Sequence, residues 1–228
     1  MSELLPGVFL LDEVGMPGRP TTVNPCLLVS HDGTATLVDA GFPGIAEKFD
    51  AALNEAGLPP TAVKRVIVTH HHQDHTGGLP EIVAMTGAEV WAHCDDADFI
   101  DGTTPRTPPP GASSGWTGFK PAPVDLRLVG GEVLAGLGGC RILHTPGHTA
   151  GHLSLYLPEL SLLIAGDILR YENGHVTRAP EMYTADADTN ERSLAALAKL
   201  EFAHLLPYHG TYLSENASQQ MREELGLG

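Results

Sequence analysis

Four side chains of types that commonly bind metal ions lie within one short polar segment, THHHQDHTGG at 69–78: His70, His72, Asp74 and His75. On an extended chain, residues two apart face the same side, so His70 and His72 can bind one metal ion. Asp74 and His75 come where the chain turns toward a predicted helix, so they can face a second ion. A solvated histidine-rich turn fits less well, because the cluster directly follows a β-branched apolar run, 63–69, that predicts a buried strand.

Three further candidate ligands follow, each at the predicted end of a strand or in a tight turn, beside Gly or Pro. His148 occurs in TPGHTAGH (145–152), Asp167 ends LLIAGD (162–167) and His209 lies in PYHG (207–210). Binding sites are commonly built where loops leave a rigid scaffold. A lone His or Asp at such a place is more often a surface or capping residue. The full set in this order, however, indicates a site for two metal ions.

The elements that must position these residues are short strands and amphipathic helices. A helix is predicted over 45–56, because Ile45, Phe49, Leu53 and Ala56 recur at spacings of four and three and Gly57 follows. A second helix is predicted over 189–200, with Asp188 and Glu191 as a capping box and a leucine stripe that indicates core packing. Shorter helices are predicted from 79 to about 87 and over 214–225. Strands are predicted at 23–30, 35–39, 63–69, 88–92, 124–129, 132–137, 140–145, 153–157, 162–165 and 203–206.

This order, strands and then a helix, twice over, predicts two sheets packed face to face with helices outside, in one domain that spans residues 1–228. One long segment, 101–123, is dense in Pro, Gly, Ser and Thr and carries Trp116 and Phe119. A loop of this length is often functional. We expect it to form either a lid over the metal ions or a contact in a homodimer.

The composition restricts the partners. The formal net charge is −15, with 28 acidic against 13 basic residues, so nucleic acids and anionic membranes are disfavoured and a small-molecule substrate is favoured. Cys26, Cys94 and Cys140 form no C-x-x-C pair, which suits a reducing compartment. The N-terminus lacks the basic start of a signal peptide, and no apolar run is long enough to span a membrane. These features predict a soluble cytoplasmic protein.

The pattern H-x-H-x-D-H, then T-P-G-H-T-x-G-H, then G-D, then a last His resembles the metal signature of the metallo-β-lactamase superfamily, over roughly residues 23–210. The resemblance implies an α/β fold, a four-layer αββα sandwich. It implies that His70, His72 and His148 bind one metal ion, that Asp74, His75 and His209 bind a second, and that Asp167 bridges them. It also implies that Asp39 accepts a hydrogen bond from a ligand imidazole and fixes its tautomer; a simple turn residue before Gly41 is the alternative.

Such a ligand set implies a metal-dependent hydrolase. A water bound by two cations loses its proton near neutral pH, and the resulting hydroxide attacks the substrate while Asp74 orients it and relays a proton. Imidazole and carboxylate ligands without thiolate suit zinc, and iron and manganese also accept them.

Several branches of the superfamily fit less well. Asp167 argues against the β-lactamases that use Cys at its place, and His72 and the absence of an added domain argue against flavodiiron proteins and nucleases. Ester, lactone or thioester hydrolysis is the predicted reaction. A glutathione thioesterase similar to glyoxalase II, a persulfide dioxygenase and a metal-binding protein without catalysis are the alternatives.

Two tyrosines depart from the patterns of the relatives. Tyr171 follows Asp167 by four residues, where the small lactonases have a Tyr at three, and it is assigned a catalytic role with core packing as the alternative. Tyr208 precedes the last His, where many relatives have Gly, and is left between the same two roles. His71 is expected to face away from its neighbours, and His152 to support the sheet rather than bind metal. His31, His144, His175 and His204 are expected at the surface or in hydrogen bonds.

Overall fold

The computed structural model describes residues 1–11, 14, 15, 22–106 and 120–228. The chain divides into two compact units, residues 1–128 and 129–228. The single domain expected from the sequence stays a prediction.

The first unit is built on a mixed sheet. Its strands are β1 (Ser2–Leu5), β2 (Val8–Leu10), β3 (Val14–Gly15), β4 (Thr22–Val23), β5 (Cys26–Val29), β6 (Ala35–Val38), β7 (Val63–Val68), β8 (Glu89–His93) and β9 (Leu126–Leu128). The sheet has the order β1-β2-β5-β6-β7-β8-β9, and β3 pairs with β4 separately. Strands are antiparallel from β1 to β6 and parallel from β6 to β9. The carboxyl ends of β6 and β7, which lead to Asp39 and His70, therefore lie at the same edge of the sheet.

The helices of the first unit are α1 (Ala46–Glu55), α2 (Gln73–Thr76), α3 (Leu79–Thr86) and α4 (Cys94–Asp101). The predicted helix over 45–56 is confirmed as α1, whose buried face carries Phe49, Ala52 and Leu53. Helix α4 was not predicted, because the Asp residues in its sequence, CDDADFID, weaken the helical pattern. Strands β1 and β2 were not predicted either.

The second unit has a five-stranded sheet and a separate hairpin. Its strands are β10 (Val133–Leu134), β11 (Cys140–His144), β12 (Leu153–Leu157), β13 (Leu162–Gly166), β14 (Leu169–Glu172), β15 (His175–Arg178) and β16 (His204–Pro207). The sheet order is β10-β11-β12-β13-β16, and β14 pairs with β15. All neighbours in the five-stranded sheet are antiparallel except β13 and β16, which are parallel. Asp167 and His209 therefore follow neighbouring strand ends at one edge.

The helices of the second unit are α5 (Ala187–Leu197) and α6 (Ala217–Leu225). The predicted leucine stripe is confirmed for Leu194 and Leu197, which are buried in the core of this unit, whereas Leu200 lies beyond the end of α5 and is only partly buried. The predicted capping box is wrong. The N-cap is Asp186, which accepts a hydrogen bond from the Thr189 backbone at 3.0 Å, and Glu191 binds Arg178 instead.

Candidate metal centre

The first half of the predicted ligand set lies in the loop that leaves β7 and in the short helix α2. His70 and His75 are fully buried, while His72 and Asp74 are partly exposed. The ligand atoms of His70 and His72 lie within 4.8 Å of each other, and so do those of His70 and His75. The His70 ring packs on its neighbours, with centroids 4.5 Å from His72 and 3.9 Å from His75. The extended backbone of His72 thus places these side chains together, as the spacing predicts.

Asp39 fixes the orientation of His75. Its Oδ2 lies 2.8 Å from His75 Nδ1, and its two carboxylate oxygens accept hydrogen bonds from the backbone and hydroxyl of Thr69, both at 2.8 Å. Asp39 is 1% exposed and has a φ of 61°, a left-handed conformation that a non-glycine residue adopts rarely. The predicted contact with a ligand imidazole is confirmed. With Nδ1 held by a carboxylate, Nε2 is the nitrogen with which His75 could bind a metal ion, and it lies 3.8 Å from Asp74 Oδ2.

The second half of the predicted set converges on the carboxylate of Asp167. This residue directly follows β13 and is 4% exposed. Its Oδ2 lies 3.5 Å from His148 Nε2 and 3.3 Å from His209 Nε2. One carboxylate oxygen thus lies beside two imidazoles, the arrangement expected of a bridging ligand.

The turn that presents His148 is held by α5, a role that the sequence did not reveal. Gly147 has a φ of 135°, and a Cβ there would lie 2.4 Å from the backbone nitrogen of Asn190. Ser193 donates a hydrogen bond from Oγ to the Pro146 carbonyl at 2.7 Å. Only glycine allows the turn to approach the helix this closely, so α5 fixes where His148 points.

His152 is fully buried, and both of its ring nitrogens have hydrogen-bond partners. Its Nδ1 lies 2.8 Å from Thr145 Oγ1, and its Nε2 accepts the backbone N–H of Asp167 at 3.0 Å. Both ring nitrogens are therefore engaged within the second unit. His152 supports the strand end that carries Asp167.

His209 is delivered by β16 and a tight turn. Gly210 has a φ of 100°, and a Cβ there would lie 2.2 Å from the carbonyl oxygen of Tyr171. The backbone N–H of Thr211 donates to that same carbonyl at 2.9 Å. The hairpin strand β14 thereby positions the turn that follows His209.

The two tyrosines pack within the second unit. The Tyr171 side chain packs against the core that contains Leu169 and Val176. Tyr208 is 3% exposed, and its ring meets the His209 ring edge to face, with centroids 5.4 Å apart. The core contacts favour the packing role for Tyr171, and its catalytic role stays a prediction.

Five other histidines behave as expected. His71 is turned to Asp96, with its Nδ1 2.9 Å from Oδ2, and His31 is exposed. His144 Nε2 lies 2.9 Å from the Ala150 carbonyl. The other two are also hydrogen-bonded, His175 to Glu224 at 2.9 Å and His204 to Tyr212 at 2.7 Å.

The predicted lid lies largely outside the described residues. Asp101 ends α4, and 102–106 and 120–123 are turn and coil. Trp116 and Phe119 belong to the part that the structure does not describe, so both the lid and the homodimer contact stay predictions.

The donor set fits a pair of divalent cations. It offers imidazole nitrogens and carboxylate oxygens, which zinc, iron and manganese all accept. Among the described residues, the groups of nearby ligand atoms that these side chains form include no thiol. Cys26 and Cys140 are buried in the sheets, and burial raises the pKa of Cys140 to about 12. Desolvation by burial also raises the pKa of Cys94.

Among the described residues, no helix is long and apolar enough to cross a membrane.

Comparison with known proteins agrees with this chemistry. A family model described as the metallo-beta-lactamase superfamily matches residues 19–209, a range that includes every predicted ligand. A hydroxyacylglutathione hydrolase of Rhodospirillum rubrum is 33% identical over 138 residues, which cover 60% of this chain and 43% of that protein. The chain thus matches less than half the length of that relative. The uncharacterized protein YobT of Bacillus subtilis is 28% identical over 215 residues, 88% of each chain.

Comparison with solved structures finds the same fold. A metallo-beta-lactamase family protein of Thermus thermophilus has a TM-score of 0.77 at 30% identity, over 97% of this chain and 79% of that one. The protein TTHA1623, solved in a di-iron-bound form, has a TM-score of 0.69 at 26% identity, over 86% and 91%. The predicted α/β fold class is confirmed, and membership implies divalent metal ions. By its sequence and its fold, the chain belongs to the metallo-β-lactamase superfamily.

Proposed function

We propose that this protein is a dinuclear metal-dependent hydrolase that cleaves an ester, lactone or thioester bond of a small molecule. The observation that carries the proposal is the position of Asp167, whose Oδ2 lies 3.5 Å from His148 Nε2 and 3.3 Å from His209 Nε2. Predicted ligands of both metal ions thereby meet at one carboxylate within the second unit alone.

In this proposal, the two half-sets act together. His70, His72 and His148 would bind one cation, Asp74, His75 and His209 the other, and Asp167 both. The family match supports this set, because it spans every one of these residues. Zinc is the proposed metal, and iron is the alternative that the di-iron-bound relative supports.

The bound cations would supply Lewis acidity and lower the pKa of a water molecule toward neutrality. Side chains of the protein would accept the proton and orient the ligands. Asp74, whose side chain is 24% exposed, would accept the proton of the attacking water on its carboxylate. Asp39 would keep Nε2 of His75 directed to the metal, because it holds Nδ1 at 2.8 Å.

The thioester alternative has its own support. The Rhodospirillum rubrum relative is named a hydroxyacylglutathione hydrolase, which favours a glutathione thioester as one candidate substrate. Because the match covers less than half of that protein, lactones and simple esters remain equally good candidate substrates. The negative net charge of −15 supports a small molecule rather than a nucleic acid, and we also propose a cytoplasmic location.

The test is a substrate panel on the metal-loaded protein: a glutathione thioester, an acyl-homoserine lactone, an aryl ester, a phosphodiester and a β-lactam. We expect turnover of at least one of the first three, lost on chelation and restored by zinc or iron. Oxygen uptake with glutathione persulfide is measured in parallel. No hydrolysis of the first three substrates, hydrolysis of the phosphodiester or the β-lactam alone, or oxygen uptake in place of hydrolysis would contradict the proposal.

A further inference from the structure

Three side chains, a carboxylate, an aromatic ring and a guanidinium, form a cluster beside the segment 70–76 that carries predicted metal ligands. The cluster contacts this segment at two residues that are not predicted ligands. The contacted residues are His71 and Thr76, and the cluster that reaches them consists of Asp96, Phe99 and Arg106. None of these three belongs to the predicted metal set.

Asp96 binds His71 at two points. Its Oδ2 lies 2.9 Å from the His71 backbone nitrogen and 2.9 Å from His71 Nδ1. The His71 ring also stacks on Phe99, with centroids 4.6 Å apart and 23° between the planes. Backbone and ring of His71 are thereby both fixed. Because His71 lies directly between His70 and His72, fixing its backbone and its ring restricts how the segment that carries these two side chains can turn.

Arg106 holds the other end of the segment. Its Nη1 donates to Thr76 Oγ1 at 2.9 Å, and its Nε donates to the Phe99 carbonyl at 2.8 Å. Thr76 Oγ1 in turn donates to the His72 carbonyl at 2.9 Å. The backbone of a predicted ligand is therefore connected through Thr76 to a partly buried guanidinium.

The cluster places a charged carboxylate in the interior, where the loss of hydration is unfavourable. Asp96 is 1% exposed, and a carboxylate so deeply buried needs hydrogen bonds and an opposite charge. Burial lowers the pKa of Arg106 to about 9, and the charge of Asp96 opposes that shift, so the guanidinium stays charged at neutral pH. A hydrophobic pair would fill the same volume at lower cost, which suggests that the polar cluster is kept for what it orients.

We propose that Asp96, supported by Arg106, is a positioning residue that fixes His70 and His72 in the geometry that binds metal. The inference rests on the proposed function, because it needs a metal at these histidines. A ligand set held in place before binding loses less conformational freedom when the cation arrives, and residues that orient ligands typically account for about 10- to 100-fold in metal affinity.

The test compares Asp96→Asn with Asp98→Asn in the full chain. Both residues lie on α4, but Asp98 is 44% exposed and pairs with Arg127. The purified proteins are stripped of metal, and Co²⁺ is titrated while its d–d absorption is recorded. Thermal unfolding of each metal-free protein is measured by circular dichroism. We expect Asp96→Asn to weaken Co²⁺ binding about 10- to 100-fold and to change the d–d spectrum while the protein stays folded.

The control, Asp98→Asn, should bind Co²⁺ within about twofold of the wild-type protein. A second variant, His71→Ala, removes only the ring contact and should weaken Co²⁺ binding in the same direction by a smaller factor. If Asp96→Asn does not fold, the Co²⁺ affinity of His71→Ala is the measurement that tests the inference. Wild-type affinity and spectrum in a folded Asp96→Asn protein, or in His71→Ala where that variant decides, would overturn the inference alone. A wild-type chain that binds no Co²⁺ would overturn the metal proposal itself.

Discussion

The Nε2 atom of His152 lies 3.0 Å from the backbone nitrogen of Asp167 and accepts its hydrogen bond. The opposite ring nitrogen, Nδ1, lies 2.8 Å from Thr145 Oγ1. A histidine that resembles a metal ligand in the sequence therefore acts as a support between two strands. It connects the T-P-G-H turn to the strand end that carries the carboxylate.

Replacing this histidine should cost stability. In His152→Ala, the buried N–H of Asp167 loses its acceptor, and we expect the free energy of unfolding to fall by about 1–3 kcal/mol, with an additional loss from the cavity. Urea denaturation of the metal-free protein measures the change. His144→Ala is the control, because His144 is exposed and should shift the stability by no more than about 0.5 kcal/mol. Equal stability of the two variants would contradict the supporting role.

Metal content should separate the roles of Asp167 and His209. Because Asp167 lies beside both His148 and His209, Asp167→Ala should deplete both metal ions, whereas His209→Ala should deplete mainly one. Elemental analysis of metal-replete protein should find two ions per wild-type chain. If each variant keeps one ion, Asp167 does not bridge; a single ion in the wild type under metal excess would refute the dinuclear site.

Asp74→Asn should act on turnover rather than on substrate binding. The amide keeps the shape but cannot accept the proton, so kcat should fall about 100-fold or more while KM changes little. Steady-state kinetics on the best substrate of the panel measures both, and metal content is determined on the same samples. An effect confined to KM would remove Asp74 from the proton-transfer role.

Tyr171 should prove to be a packing residue. Its ring packs against the core of the second unit, so Tyr171→Phe should keep kcat close to the wild-type value, while Tyr171→Ala should lower the unfolding midpoint. Activity and thermal unfolding are measured on both variants. A loss of about tenfold or more in kcat for Tyr171→Phe, about 1.4 kcal/mol, would instead establish the catalytic role of the phenol.

Cys140 should make the protein sensitive to alkali. Burial raises the pKa of its thiol in the folded chain to about 12, so the unfolded chain releases this proton at lower pH than the folded one. The stability that follows from the protonated thiol is fully present below the pKa of the unfolded chain and is lost as the pH rises toward the folded value. Between about pH 8 and 10.5, wild-type stability should therefore fall more steeply than that of Cys140→Ala. Parallel slopes in urea denaturation would contradict this.

The ligand half-sets could be predicted because their signals are local. The cluster at 70–75 follows a buried strand directly, and the apolar run at 162–166 leads straight to Asp167. The contact of Asp39 with an imidazole of the predicted set came from the family pattern rather than from spacing. The structure identifies that imidazole as His75, 36 residues further along the chain.

Other features had weak or unused signals. The hairpin of β14 and β15 turns at Asn173 and Gly174, both with positive φ, and an Asn-Gly pair is a strong hairpin signal that the apolar pattern alone did not reveal. Asp186 could not be distinguished from Asp188 as the cap of α5, because both precede the same leucine stripe and only the backbone geometry selects one. Asp96 gave no signal, since its role depends on a fold contact with His71 across 25 residues.

The parallel pairing of β13 with β16 has a consequence for folding. Leu162 pairs with His204, so the intervening chain, which includes a hairpin and a helix, must be arranged before these two strands meet. Closing the loop between these two parallel strands costs conformational entropy before their hydrogen bonds can form. Such contacts therefore form slowly. Asp167 and His209 should therefore come together late, after their own strands have left the ribosome. A chain still being synthesised would hold Asp167 beside His148 but without the imidazole of His209, so we expect the His209 side of the proposed metal site to form only after β16 has paired with β13.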